Sequence, residues 1–308
     1  MSSNYEPVKN WAKIPMGISF YGDCGGVAVD SKDNVYVFNR GTDPVCVFDP
    51  EGNFLRSFGH GEFDRPHGIE IDKEDNIYLV DDGPGNFIQK RDNNGKVIFT
   101  VGERGKEAPW QGGEMFNRPT DIAIHPTTGD LFISDGYGNS RIHKFDSTGK
   151  HILSWGKPGS EEGEFSLPHN ISIFDKDKIA LCDRENFRVQ IFDFDGNYLD
   201  QWHFHRPIAI YSDQYSKEIY VAEAGAPEVQ AGVPNLGLRV AIVNEKGEMI
   251  SSFGKGTLGE QPDQLIGPHG IAVDNEGSVY IAEVSFTAYG SNQDPQREVV
   301  SLRKWKRS

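Results

Sequence analysis

The sequence is poor in cysteine and methionine, with 3 and 4 in 308 residues, and poor in positive charge, with 31 Lys and Arg against 46 Asp and Glu. Cys24, Cys46 and Cys182 are odd in number and lack CxxC spacing. That argues against a disulfide framework and fits free thiols in a reducing compartment. The net charge of −15 speaks against binding a phosphate backbone, which needs clustered cations. The one basic run, Arg303 to Arg307, reads as a solvated end. No stretch approaches the roughly 20 apolar residues of a membrane span. The opening MSSNYEPVKNW has no basic segment followed by an apolar one, so no secretory leader is read there. Cytoplasmic localisation, with no nucleic-acid and no membrane partner, is therefore expected. Helical periodicity is absent over any useful length.

What is present is glycine (35), proline (17) and a repeat. A short apolar strand, an acidic or Asn/Gly turn and a second strand ending in Asp, Glu or Asn recur six times. The copies are GVAVDSKDNVYVFN, GIEIDKEDNIYLVD, DIAIHPTTGDLFISD, NISIFDKDKIALCD, PIAIYSDQYSKEIYVAE and GIAVDNEGSVYIAE, with first apolar positions Val27, Ile69, Ile122, Ile171, Ile208 and Ile271. Intervals of about 40 to 60 residues match one propeller blade each. Two further alternating segments follow most copies, as in RIHKFDSTGKHILSWG, with hairpin turn chemistry between them. Four antiparallel strands per copy predict an all-β six-bladed β-propeller, residues 1–308 forming one domain. The last copy has only VVSLRKW after its first hairpin, while VKNWAKIPMG near the start resembles ILSWGKPG. Residues near Val8 to Ile14 are thus expected to complete blade six and close the ring, removing an exposed sheet edge.

The first strand of each blade lines the central channel. Two places before the first apolar position stand Gly25, His67, Thr120, His169, Arg206 and His269. Histidine occupies alternate blades, each time in a Pro-His pair, and alternate blades of six lie about 120° apart around the axis. Three imidazoles would therefore converge with an open fourth position, the arrangement of a catalytic zinc, or of another divalent transition metal. The remaining histidines, His203 and His205 among them, lack this symmetry and read as structural. The second strand returns to the same face, which brings Arg40, Tyr137 and Arg184 around the expected metal. Two guanidiniums there suggest a carboxylate-bearing small-molecule substrate. Either arginine can equally be a surface residue, Arg184 pairing with Asp183 or Glu185. Tyr137 reads as a packing aromatic or as a phenolic acid/base whose pKa is lowered by metal and arginines.

The segments VAVDSKDNVYVFNRG, PHGIEID, RPTDIAIHPTTGDLFISDGYGNSRI, FSLPHNISI, DRENFRVQIF and GPHGIAVDNEGSVYIAE resemble the peptidyl-α-hydroxyglycine α-amidating lyase family, a zinc-dependent branch of the NHL-repeat propellers. The resemblance runs from about Val27 to Glu283. It implies zinc on His67, His169 and His269, and catalytic and substrate-binding roles for Arg40, Tyr137 and Arg184. The implied reaction cleaves the N–C(OH) bond of an α-hydroxyglycine to an amide and glyoxylate. The family's structural calcium would use carbonyls matching Val27 and Ile69 and an aspartate whose position is Gly270 here, which speaks against calcium. A methionine position is Gly267, which should reshape the pocket. Disulfide positions match Asn117 with Gly138 and Ala180 with Ile191, none of them cysteine. With neither a hydroxylating copper domain nor a secretory leader read on the chain, a smaller, non-hormone substrate is expected. Competing readings are a hydratase or hydrolase at the same three histidines, a gluconolactonase-like hydrolase, whose Glu, Asn and Asp ligands are not offered, and a non-catalytic NHL interaction module.

Overall fold

The computed structural model describes residues 5–225 and 236–308. The first four residues of the segment read for a leader lie outside them. Six four-stranded antiparallel sheets form a six-bladed β-propeller, and five of the sheets use strands consecutive in sequence. The innermost strands are Cys24–Val29, Pro66–Ile71, Asp121–Ile124, Pro168–Phe174, Pro207–Ser212 and Pro268–Val273. Ser285–Ala288 forms a single short α-helix among the described residues, and none is long and apolar enough to cross a membrane.

The turn chemistry explains part of the acidic composition. Asp30, Asp72 and Asp274 each directly follow an innermost strand, and one carboxylate oxygen of each accepts the backbone N–H groups two and four residues on. This is an Asx turn, and its tightest residue lies in the left-handed region, at φ 62° for Asp33, 61° for Asp75 and 79° for Gly277. The second oxygen accepts the hydroxyl of a buried tyrosine on the next strand, Tyr36, Tyr78 or Tyr280, at 3.0–3.2 Å. Apolar faces of neighbouring blades then meet in separate clusters along the seams. Burial of such faces, at about 25 cal/mol per Å² of apolar surface, drives the ring together.

The ring closes through the N-terminal segment, three residues earlier than expected. Tyr5–Val8 pairs antiparallel with Leu302–Arg307, Tyr5 opposite Arg307 and Val8 opposite Lys304. Asn10, at φ 52°, breaks the strand and turns Trp11 into the seam between blades six and one. There the indole stands 5.0 Å from Tyr280 and 5.9 Å from Phe48 and donates to Pro50 O. Trp11 does match Trp155 and Trp202, as each of the three packs on a glycine turn of the next blade, at Gly52, Gly196 and Gly247. The aromatic was a true repeat marker; the paired strand was not centred on it.

Candidate functional site

At the start of the three histidine-bearing strands the pairing register slips, between Pro66 and Ile69, Pro168 and Ile171, and Pro268 and Gly270. A bulge of this kind re-aims the side chains within it. His67, His169 and His269 are buried, and their ligand atoms lie within 4.8 Å of one another. Ring centroids are 4.4–4.9 Å apart. Each Nδ1 faces a backbone carbonyl of the following blade: Thr120 O at 2.5 Å, Ile208 O at 2.8 Å and Gly25 O at 2.7 Å respectively. A carbonyl only accepts, so Nδ1 carries the proton and the three Nε2 lone pairs are left facing the axis. Burial holds all three imidazoles neutral. It lowers His169 to about 3, with Arg184 adding to the effect, and lowers His67 and His269 well below the ordinary range, with the neighbouring imidazoles adding. Three neutral, buried, pre-oriented nitrogens are a donor set that can hold a metal ion.

Buried carboxylates hold the loops that carry these histidines. The last residue of the second strand is Asp81, Asp183 and Glu283 in blades two, four and six, each fully buried. Asp81 accepts from the N–H groups of Asp64 and Arg65, Asp183 from Ser166, and Glu283 from Ile266 and Gly267. Those loops lead straight into the Pro-His pairs. In blades four to six an arginine completes the arrangement: Arg188 on Asp183, Arg239 on Glu223 and Arg303 on Glu283, at 2.5–2.8 Å.

Tyr137 reaches the centre as anticipated. Its hydroxyl is 3.2 Å from Nε2 of both His67 and His169. Burial raises its pKa against the opposing fields of Arg184, Arg65 and Arg40, and Asp82 adds to the rise; the lowering expected from the sequence draws on a metal cation as well as on the arginines. Arg40 and Arg184 lie at the same mouth but are already paired. Arg40 Nη1 is 2.9 Å from Asp23 Oδ2, and Arg184 Nε is 2.8 Å from Glu185 Oε1, so Glu185 and not Asp183 is its partner.

Arg65, Arg118 and Asp82 at the mouth are not reached from the sequence, and Arg206 is reached only as the blade-five counterpart of the histidines. Arg65 and Arg118 both pair with Asp82 and, with Arg184, stand 4.5–5.9 Å from the Tyr137 ring centre. Arg206 pairs with Glu185. Arg65, Arg118 and Arg206 each precede the proline that opens or adjoins a first strand, an Arg-Pro pair in blades two, three and five that was legible as a pattern. Asp82 holds the position that Arg40 and Arg184 hold in their own blades.

Two cavities flank the histidines. A groove of about 520 Å³ runs outward from Tyr137 past Trp110, Pro158, Phe165 and Leu167. Towards the other face the channel holds about 400 Å³ and carries Glu70 and Asp121. Burial pushes these carboxyls up to about 8, with Asp121 contributing, and about 7.

A family model, the NHL repeat, matches residues 116–145 and 165–192. Among curated proteins, peptidylglycine alpha-amidating monooxygenase of Rattus norvegicus is 30% identical over 297 residues, 85% of this chain and 29% of that protein. Peptidyl-alpha-hydroxyglycine alpha-amidating lyase 1 of Drosophila melanogaster is 29% identical over 258 residues, 76% of this chain and 45% of that protein. The chain is an NHL-repeat propeller that resembles the amidating lyases over most of its length. It spans about a third of the length of the amidating monooxygenases it matches, 29–35%. NHL repeat-containing protein 3 of Homo sapiens is 28% identical over 287 residues, 89% of this chain and 80% of that protein. A solved streptogramin B lyase shares the fold, with a TM-score of 0.64 at 15% identity over 99% of this chain and 98% of that one.

The two position pairs at which the resemblance implies disulfides are neighbours here, and none of the four residues is cysteine. Ala180 lies directly opposite Ile191, and Gly138 N–H donates to Asn117 O at 3.0 Å. The family's calcium position does not fit. Gly270 has no side-chain donor, and a Cβ there would lie 2.8 Å from Gly26 Cα, so a carboxylate could enter only if the backbone moved. The three cysteines are free and buried, and burial pushes their thiols up, Cys46 to about 12.

Proposed function

We propose that the chain is a zinc-dependent carbon–nitrogen lyase that opens an α-hydroxy amide with a neighbouring carboxylate, releasing an amide and glyoxylate or a related carbonyl compound. The observation that carries this reading is the Tyr137 hydroxyl placed 3.2 Å from two of three converging imidazole nitrogens. His67, His169 and His269 would hold the metal, which supplies Lewis-acid polarisation of the substrate's oxygens when bound.

The chain's own groups account for the remaining demands. Arg184 and Arg40 stand where a carboxylate next to the reacting carbon would be gripped, and they favour the phenolate form of Tyr137 against its burial. Tyr137, in the phenolate form that these arginines and a bound metal cation would favour, takes the substrate's hydroxyl proton as the C–N bond breaks. The oxygen's electrons form the carbonyl, the bonding pair leaves with nitrogen, and the proton returns to that nitrogen to give the amide. Arg184, Arg40 and the fixed dipoles around them stabilise the charge that develops.

The test is zinc content together with glyoxylate release from an N-acyl-α-hydroxyglycine. About one zinc per chain with glyoxylate formed supports the lyase, and His169→Ala should then lose both. Zinc without glyoxylate would move the assignment to a hydratase or hydrolase at the same site. No tightly bound metal would overturn it.

A further inference from the structure

The mouth is cationic on a strongly acidic chain. One arginine comes from each of the first five blades, Arg40, Arg65, Arg118, Arg184 and Arg206, and among the described residues their ion-pair partners are three carboxylates, Asp23, Asp82 and Glu185. The surplus is not evenly placed. Arg184 and Arg206 share Glu185, whose side chain is itself 30% exposed and so screens them from the mouth side. Arg65 and Arg118 share Asp82 differently. Arg65 Nη1 and Arg118 Nη2 lie 3.1 and 3.2 Å from the same oxygen, Oδ2. The Asp82 side chain is 0% exposed, while the two arginines are 35% and 34% exposed.

The carboxylate therefore sits behind the two guanidiniums and fixes them side by side, and their outer edges face the mouth. Arg65 uses one of its N–H groups on Asp82 and Arg118 two, counting its Nε bond to Asp82 O. The other N–H groups of each are available for a fork around an oxyanion. Stacking on Tyr137 sets them beside the reacting centre, with Arg118 4.5 Å from the ring centre. Holding two like charges together over one buried carboxylate costs stability unless a further anion completes the arrangement.

We infer that Arg65 and Arg118 form a second anion subsite, so that the substrate carries a carboxylate on its acyl side in addition to the one beside the reacting carbon. The substrate class is then an N-acyl-α-hydroxyglycine whose acyl group derives from a dicarboxylic acid. This rests on the lyase reading of the same site. Asp82 acts as a positioning residue, and the field of the five arginines draws a dianion to a protein that otherwise repels it.

The experiment compares kcat/KM for N-acetyl-, N-succinyl- and N-glutaryl-α-hydroxyglycine in the zinc-loaded wild type, Arg65→Gln, Arg118→Gln and Arg118→Lys. Thermal unfolding checks that each variant is folded, and Arg65→Gln, which gives up one hydrogen bond to Asp82 where Arg118 gives up two, carries the test if Arg118→Gln is not. Wild type should prefer a dianionic substrate about tenfold or more, mainly through KM, and both Gln variants should bring the ratio to within about threefold of one. Arg118→Lys, with charge but no fork, should fall between. A wild-type ratio near one, a preference that survives both Gln variants, or an equal loss on all three substrates would overturn the subsite. Calorimetric titration with glutarate against acetate separates this from failure of the lyase reading. If no substrate yields glyoxylate, glutarate binding that is lost in the Gln variants still supports the subsite, and binding that is absent or unchanged in them refutes it.

Discussion

Replacing Glu283 by Ala should cost stability and disturb the centre together, because one carboxylate performs both tasks. Its Oε2 is 2.6 Å from Arg303 Nε, and Oε1 accepts from Ile266 N at 2.7 Å and Gly267 N at 3.2 Å. The Arg303 side chain is only 7% exposed, and its other contacts, to Gln261 O and Gly259 O, are long at 3.3 and 3.5 Å. Truncation leaves a buried guanidinium unpaired, a change that costs about 3–5 kcal/mol. With an unfolding entropy of about 2.1 cal/mol/K per residue over 308 residues, that corresponds to a Tm lower by about 5–8 °C. Gly267 stands two residues before His269, so the loop loses its tether at the ligand. Metal affinity should fall about tenfold or more, as it does when groups that orient a ligand are removed. A double-mutant cycle with Arg303→Ala, followed by thermal unfolding and zinc titration, isolates the pair. The double variant should be less destabilised than the sum of the singles. A loss below about 1 kcal/mol, or unfolding weakened while zinc affinity stays at wild type, would refute the dual role.

Tyr137→Phe should keep the metal and lose about 10²–10⁴ in kcat, the usual range for a proton-transfer group. A rate near wild type would remove the phenol from the chemistry. Arg184→Lys should weaken carboxylate-bearing substrates more than neutral analogues, measured as the ratio of kcat/KM values; an equal loss on both would contradict a grip on carboxylate. Glu70 and Asp121 are raised to about 8 and about 7, so the folded chain binds more protons than the unfolded one between those values and the ordinary carboxylate range. Stability from this source is complete below about pH 4 and is lost as pH rises through 7 to 8. The Tm should therefore fall from about pH 6 to pH 8.5, and Glu70→Gln should flatten the slope; a slope unchanged in that variant would exclude Glu70 as its source.

The convergence of the three histidines was legible because the repeat supplies its own internal control. One Pro-His pair means little, but three at one repeat position in alternate blades define a point on the axis. Asn10 hid the true closing strand, since a single left-handed residue moved the hydrogen bonds upstream of the tryptophan that marks the repeat. Arg65 and Arg118 stand in a recurring Arg-Pro pair, but the pair alone does not say that they face the centre; their partnership through Asp82 does. The arginines around Tyr137 are visible in the sequence, whereas the burial that opposes them is not. The groove beside Trp110 depends on a long connection between blades two and three that has no periodic pattern to follow.

The Nδ1 bonds have a consequence beyond ligand orientation. They run from blade two to three, from four to five and from six to one, so every second seam of the ring is stitched at its inner edge by a histidine. An ion gripped at the axis would then act as a three-way cross-link between residues about a hundred positions apart in the chain, a span for which loop closure is entropically costly. Occupancy of the centre and integrity of the ring become one equilibrium: a ring sprung at any seam scatters the ligands, and a filled centre resists opening at all six.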